Sequence, residues 1–349
     1  MPSSRDAGVV AVTTRRRTPV LGAFLEGWRR VWRAPALAIG ALGASFLLAL
    51  PLGLVMERAL KTHLGSSVEG DAAATGWNAG WAAEFGAQAQ GVGQTFNYEF
   101  LGFGGTLAII SGIADRVALD PALASAAAMS IALWVFLSGG VIDRLARGRP
   151  VGAAHFFGAC GVYFWRFLRL AVVIGAAYWA LFRWLHPFLF SRVYHYFTRD
   201  MTQEMSGIAL RTLLYAVFLI AVACVSVVAD FAKTRAVVED RRSMVGAIGA
   251  ALRFIRRRPF RVTGLYLLNG IAFIVILRLW LQSAPAATAP AWFALLATQL
   301  YLLLRVWAKL AFMASEVVFF QGELAHAEYS KTPEIVWPDS PAAEAIERR

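Results

Sequence analysis

Residues Lys233–Pro259 read KTRAVVEDRRSMVGAIGAALRFIRRRP, a basic segment caught between two long apolar runs. At ~100° per residue, Met244, Val245, Ala251, Leu252 and Ile255 share a side with Ile248. Arg253 and Arg257 fall opposite, and Arg256 and Arg258 flank the apolar stripe. A helix of this kind suits the headgroup layer, apolar face down and guanidinium groups towards anionic lipid. Pro259 ends it, because proline disfavours helix in the residue before it.

The N-terminal stretch Gly22–Pro35, GAFLEGWRRVWRAP, has the same layout. Gly22 matches Gly246, Ala23 matches Ala247, Arg29 matches Arg253, Arg33 matches Arg257 and Pro35 matches Pro259. A third copy begins at Gly152, again after a basic run, but has no closing proline and few charges on its far face, which predicts a more buried helix. Each copy precedes a pair of apolar segments. The expected architecture is all-α and polytopic: three repeats, each an interfacial amphipathic helix followed by two spans.

Composition agrees. The 349 residues are 58% hydrophobic and 16% charged, with a mean hydropathy of +0.56, which excludes an ordinary soluble domain. The formal net charge of +12 sits beside apolar runs rather than on an aromatic-rich polar face, so it predicts retention on an anionic leaflet and no nucleic-acid partner. Cys160 and Cys224 lie in separate apolar segments and read as small buried hydrophobes, with no disulfide framework or zinc spacing.

Along the chain, residues 1–18 read as a disordered basic N-terminus without a cleavable signal, in which Arg15-Arg16-Arg17 is a cytoplasmic anchor. Residues 19–324 form the helical membrane domain and residues 325–349 a disordered tail. The expected spans are Ala36–Met56, Ala122–Ile142, Phe167–Phe190, Ile208–Ala229, Val262–Leu281 and Trp292–Met313, each near the roughly 20 residues that a bilayer core needs. Pro51 should kink the first. Residues 57–121, poor in lysine and arginine, are placed outside. Within them Trp77, Trp81 and Phe85 predict an outer interfacial helix, and Leu101–Ile113 a re-entrant or surface-lying segment. A short external loop covers Ser191–Gly207, and an even number of spans leaves both termini cytoplasmic, in a plasma (bacterial inner) membrane.

Chemistry-bearing residues are few. In the sixth span Lys309 lies ~40° and Glu316 ~20° round the helix from Arg305, with Glu323 in line again. This stripe either lines a polar cavity for an anionic headgroup or solute, or snorkels to the inner interface and pairs with acids there. The even-numbered spans end near the carboxylates Asp143, Asp230 and Glu316, equivalent positions under the repeat, which suit ties between units. Arg29, Arg33, Arg253, Arg256, Arg257 and Arg258 are the expected anionic-lipid contacts. His186, Tyr194, His195, Tyr196, Arg199 and Asp200 crowd one external stretch, best explained by interface-favouring tyrosines; no metal and no cofactor is expected. Gly102–Gly105 lacks the lysine of a phosphate loop, and HExxH, GxSxG and Walker A patterns do not occur.

The segment TRAVVEDRRSMVGAIGAALRFIRRRP, placed between two spans, resembles a pattern in uncharacterised bacterial polytopic membrane proteins. They include proteins related to the membrane domain that some glycerophosphodiester phosphodiesterases carry. The resemblance covers the last third of the chain and implies a non-catalytic, lipid-embedded helical domain; the soluble phosphodiesterase domain has no counterpart, so no catalytic residue carries over. The expected function is a non-enzymatic integral membrane protein that organises or senses anionic lipid, or a partner protein, at the cytoplasmic face. The alternative is a transporter or permease-like protein for a small anionic solute.

Overall fold

Helix starts follow from prolines and caps. Pro35, Pro121 and Pro259 each take the first helical position of a long helix, where the missing N–H costs nothing. Asp120 accepts from the amides of Ala122 and Leu123, and Ser243 from that of Gly246. In the computed structural model, which describes residues 19–76, 78–96, 111–115, 120–199, 204–286 and 289–325, helix is the only regular structure among those residues.

The elements are α1 (Val20–Trp32), α2 (Pro35–Leu64), α3 (Gly70–Thr75), α4 (Ala79–Gln88), α5 (Pro121–Arg147), α6 (Ala153–Thr198), α7 (Glu204–Val238), α8 (Met244–Arg257), α9 (Pro259–Ser283) and α10 (Ala291–Ala325). Five of them, α2, α5, α6, α7 and α9, are long and apolar enough to cross a membrane, the mark of an integral membrane protein. Their surfaces carry exposed Leu47, Ile131, Ile220 and Ile274, a pattern that water would penalise. α10 spans 35 residues and carries Arg305, Lys309, Glu316 and Glu323.

The main core gathers where α1 and α8 pack beside the C-terminal parts of α7 and α10. Ala23, Phe231, Val237, Ala247, Phe254, Leu265 and Phe319 meet there. A second cluster joins Val31, Ala38, Val141, Leu145, Leu310 and Ala314 between α1, α2, α5 and α10. Small residues permit the closest approaches. A Cβ on Gly27 of α1 would stand 2.5 Å from the Ser315 amide nitrogen of α10, and one on Gly140 of α5 would stand 2.5 Å from the Cys160 sulfur of α6.

α1 and α8 are three-sided. Ala23, Gly27 and Val31 of α1 are buried, Leu21, Leu25 and Trp32 are exposed, and Arg29 and Arg33 occupy a third, exposed side. In α8 the buried side is Met244, Ala247, Ala250, Ala251 and Phe254, the exposed apolar side carries Val245 and Leu252, and Arg253 and Arg257 take the third. Both helices turn the same corner. Ala34, before Pro35, has φ −135° and ψ 55°, and Arg258, before Pro259, has φ −141° and ψ 46°, outside the α region as the following proline demands.

Several expectations are corrected. The segment from Gly152 is not a separate interfacial helix: without a closing proline it runs into the third span as one helix of 46 residues. Its buried face is Cys160, Tyr163, Phe167 and Leu170, whereas Ala153 and Phe157, which the Gly152 register would bury, are exposed. The loop expected from Ser191 starts later, because α6 continues to Thr198 through π-helical turns at Leu181–Leu185 and Phe188–Val193, on either side of Pro187. α2 runs beyond the expected span end at Met56, as far as Leu64. Trp81 and Phe85 do not face lipid; they are buried against His63 and Phe96. The terminal segments, Trp77, residues 101–110 of the glycine-rich run and Asp200 lie outside the described residues.

Replacing Gly27 by alanine forces α1 away from the α10 backbone and is expected to destabilise the protein by about 1–3 kcal/mol. At Gly43, where an added Cβ meets nothing within 4 Å, the same change should leave the thermal midpoint in detergent unmoved.

Candidate functional site

The C-terminal halves of α7 and α10 bring their charges together against α9. Asp230 and Lys233 sit one turn apart on α7 and pair at 2.6 Å. From α10, buried Glu316 accepts a 2.5 Å hydrogen bond from the Tyr266 hydroxyl of α9, which also lies 3.3 Å from Asp230. One turn away the Asn269 amide donates to the Ser315 hydroxyl at 3.0 Å, beside the Gly27 contact. A phenol has one proton, so Tyr266 serves one carboxylate fully and the other weakly. Tyr178 and Ser226 exchange a further hydrogen bond between α6 and α7 at 2.5 Å.

Lys309, two turns before Glu316, is the exception. Its side chain is exposed, its ammonium stands 3.2 Å from the centre of the Trp134 ring of α5, and it lies within electrostatic reach of Lys233 and Asp230. It makes no ion pair among the described residues. Were α10 the expected sixth span, a lysine at its depth would cost about 2.5–3.5 kcal/mol on insertion scales. A ring contact returns about 0.5–2 kcal/mol, so Trp134 offsets only part of that.

The remaining ionic groups tie helices together. Glu323, buried near the end of α10, takes both Arg258 and Arg261, the first at 2.5 Å. Glu239 takes Arg235 at 2.7 Å and also Arg241, while Arg235 donates to the Ala250 carbonyl of α8. Arg30 of α1 donates to the Leu145 carbonyl and to Gln321, whose amide donates to the Ala146 carbonyl. Burial lowers the Arg30 pKa from the usual guanidinium value, an effect Glu26 partly offsets. Asp143 pairs with Arg147 at 2.7 Å and with His155 at 3.1 Å. A cavity of about 340 Å³ opens beside them, lined also by Tyr163.

The expected stripe of Arg305, Lys309 and Glu316 is therefore divided. Glu316 points into the Tyr266 contact, Lys309 to Trp134, and Arg305 lies over the Tyr301 ring at 5.7 Å. Of the span-end carboxylates, Asp230 and Glu316 share Tyr266, and Asp143 stands apart with His155. Neither arrangement uses an arginine from a neighbouring interfacial helix. Arg258, expected to contact lipid, is instead engaged by Glu323 and stacked over Phe254 at 4.8 Å; Arg33, Arg253, Arg256 and Arg257 are exposed, and Arg29 is exposed beside Glu26. His186 packs among Phe182, Phe190 and Phe218. Tyr266 and the Arg258–Glu323–Arg261 bridge escaped the sequence reading because their partners lie at least 36 positions away; the only local hint was an aromatic and an arginine in the first turns of α9.

Comparison with protein-family profiles, with curated proteins and with solved structures finds no match to this chain.

Removing the Tyr266 hydroxyl leaves Glu316 without its donor. Tyr266→Phe is expected to lower stability by about 1–3 kcal/mol, read as a fall in thermal midpoint. Tyr266→Phe combined with Glu316→Gln should recover part of that loss, since an uncharged amide tolerates the site better.

Proposed function

We propose that this chain is a non-enzymatic, six-span protein of the bacterial inner membrane that binds anionic lipid at its cytoplasmic face. α10 is the sixth span, and both termini are cytoplasmic. The observation that carries the reading is the three-sided build of α1 and α8. Each lays a small-residue side on the bundle, an exposed apolar side turned away from it (Leu21, Leu25 and Trp32, the last edge-on to Trp307, in α1; Val245 and Leu252 in α8), and arginines on the third. That division suits a helix lying in the interface, with protein on one flank, acyl chains below and headgroups beside it.

The repeat organises this surface. Leu21 and Val245 are exposed in step, Ala23 and Ala247 are buried in step, and the Ala34 and Arg258 corners share one backbone geometry. α1 packs on α10, the first part of α6 on α5, and α8 on α7. Each unit's leading helix thus rests on the second span of the unit before it, and the first unit closes on the third. In the middle unit, leading helix and span are fused because no proline separates them.

The transporter alternative is favoured by one observation, the exposed Lys309 between spans. Exchange of Arg29, Arg33, Arg253 and Arg257 for glutamine tests the main reading. In mass spectra of protein released from mixed micelles, the wild type should retain phosphatidylglycerol over phosphatidylcholine. The variant should lose that preference, by about fivefold per arginine at ~1 kcal/mol each. Equal retention by both proteins would sink the proposal. Single cysteines at Arg33 and Arg256 should react with an impermeant maleimide only from the cytoplasmic side.

A further inference from the structure

The geometry points to an oxyanion site in the crevice between α5, α7 and α10, with Lys309 as its ligating cation, Lys233 beside it and Trp134 as one wall. The site takes a phosphate-type group. It rests on the membrane reading above but not on the arginines of α1 and α8.

Lys309 is exposed although it reaches a ring on α5 and feels two charged groups on α7. An exposed side chain surrounded by three helices lines an opening between them. Every described carboxylate near it is already engaged: Asp230 holds Lys233 at 2.6 Å and receives Tyr266, and Glu316 is buried on the Tyr266 hydroxyl. The second ammonium in the crevice therefore has no counter-charge, and two like charges on adjacent helices repel. Trp134 covers one side of the Lys309 ammonium. An ammonium has three N–H donors and no acceptor, and Lys309 makes no ion pair that would satisfy them among the described residues. A group with several anionic oxygens satisfies those donors, relieves the repulsion with Lys233 and leaves the Asp230–Lys233 pair intact. A metal cation would meet two positive charges and is disfavoured. A phospholipid headgroup and free phosphate offer the same chemistry, and the crevice chemistry alone does not distinguish them.

The test uses the full chain, delipidated in neutral detergent, titrated separately with inorganic phosphate, with short-chain phosphatidylglycerol and with short-chain phosphatidylcholine as control. Binding is read as the shift in thermal midpoint and as the change in tryptophan fluorescence that a Trp134→Phe variant lacks. The wild type should saturate with phosphate or with phosphatidylglycerol, and whichever does so identifies the source. Lys309→Gln should weaken that binding about tenfold or more, the worth of one charge-assisted hydrogen bond. Lys309→Arg, which keeps the charge, should stay within a few-fold and shows that the fold survives a change at this position. Arg253→Gln with Arg257→Gln should leave the Trp134 signal unchanged. If Lys309→Gln titrates like the wild type, or the wild type saturates with neither probe, the crevice site is wrong. If the Trp134 signal survives in Lys309→Gln but disappears in the double arginine variant, the crevice falls while the surface reading stands. Loss in Lys309→Gln alone supports the crevice whatever becomes of the arginines.

Discussion

The contact between Gly27 and Ser315 holds the first and last described helices of the chain against each other at backbone distance. Lipid tails are as apolar as leucine, so helices in a membrane associate through close packing and a few polar bonds rather than through hydrophobic exclusion. α1 meets this condition with Ala23, Gly27 and Val31 in line, and α10 answers with Leu310, Ala311, Ala314 and Ser315. Once α1 is seated, Arg30 reaches the Leu145 carbonyl of α5 and Gln321 of α10, so one helix fastens the ends of two others. A bulkier residue at 27 would break the packing and withdraw the arginine together.

Charge compensation follows the same logic of adjacency. The carboxylates at the C-terminal ends of the long helices have cationic or phenolic partners from a neighbouring helix, a neighbouring turn, or both: Asp143 with Arg147 and His155, Asp230 with Lys233 and Tyr266, Glu239 with Arg235 and Arg241, Glu323 with Arg258 and Arg261. Among the described residues, Glu316 takes its hydrogen bond from Tyr266. Breaking a buried pair leaves an uncompensated charge, which costs more than the pair contributes, so these groups fix the relative height of the helices more than they add to stability. Arg258 illustrates the competition. Its place at the end of α8 suits the membrane surface, but the buried carboxylate of Glu323 draws it inward, whereas Arg256 and Arg257, two and one positions earlier, stay out.

Helix type, the basic corners and most of the long helices were legible in the sequence because they depend on local signals: hydropathy, prolines at positions 35, 121 and 259, and arginines at helical spacing. The orientation of α8 was legible only in part. Its periodicity put Met244, Val245, Ala251 and Leu252 together on one lipid-directed side, but Met244 and Ala251 are buried with Ala247 and Ala250 against the bundle, and only Val245 and Leu252 stay exposed. Size complementarity depends on the partner surface, which periodicity does not encode. The aromatic run at Trp81 and Phe85 misled for a related reason, since an amphipathic spacing does not say whether lipid or His63 covers it. The candidate site was half legible: Lys309, Asp230 and Glu316 stood out as charges in apolar context, but Tyr266 and Trp134 resembled any other aromatic in a span.

The two anion-recognising features proposed here differ in what they demand of the fold. Arginines on the outer sides of α1 and α8 act on a leaflet collectively, at long range and with little geometry, so their effect should screen with salt. Lys309 sits among three helices, two turns from the carboxylate that Tyr266 holds, and an occupant there would be positioned by Trp134 and oriented by Lys233. Because α10 carries both Lys309 and the Ser315 seat of α1, an anion in the crevice bears on the same helix that anchors the peripheral layer. Under both proposals the chain has a physical route, a single helix of 35 residues, by which occupancy of the crevice and contact with the leaflet would be felt by one another.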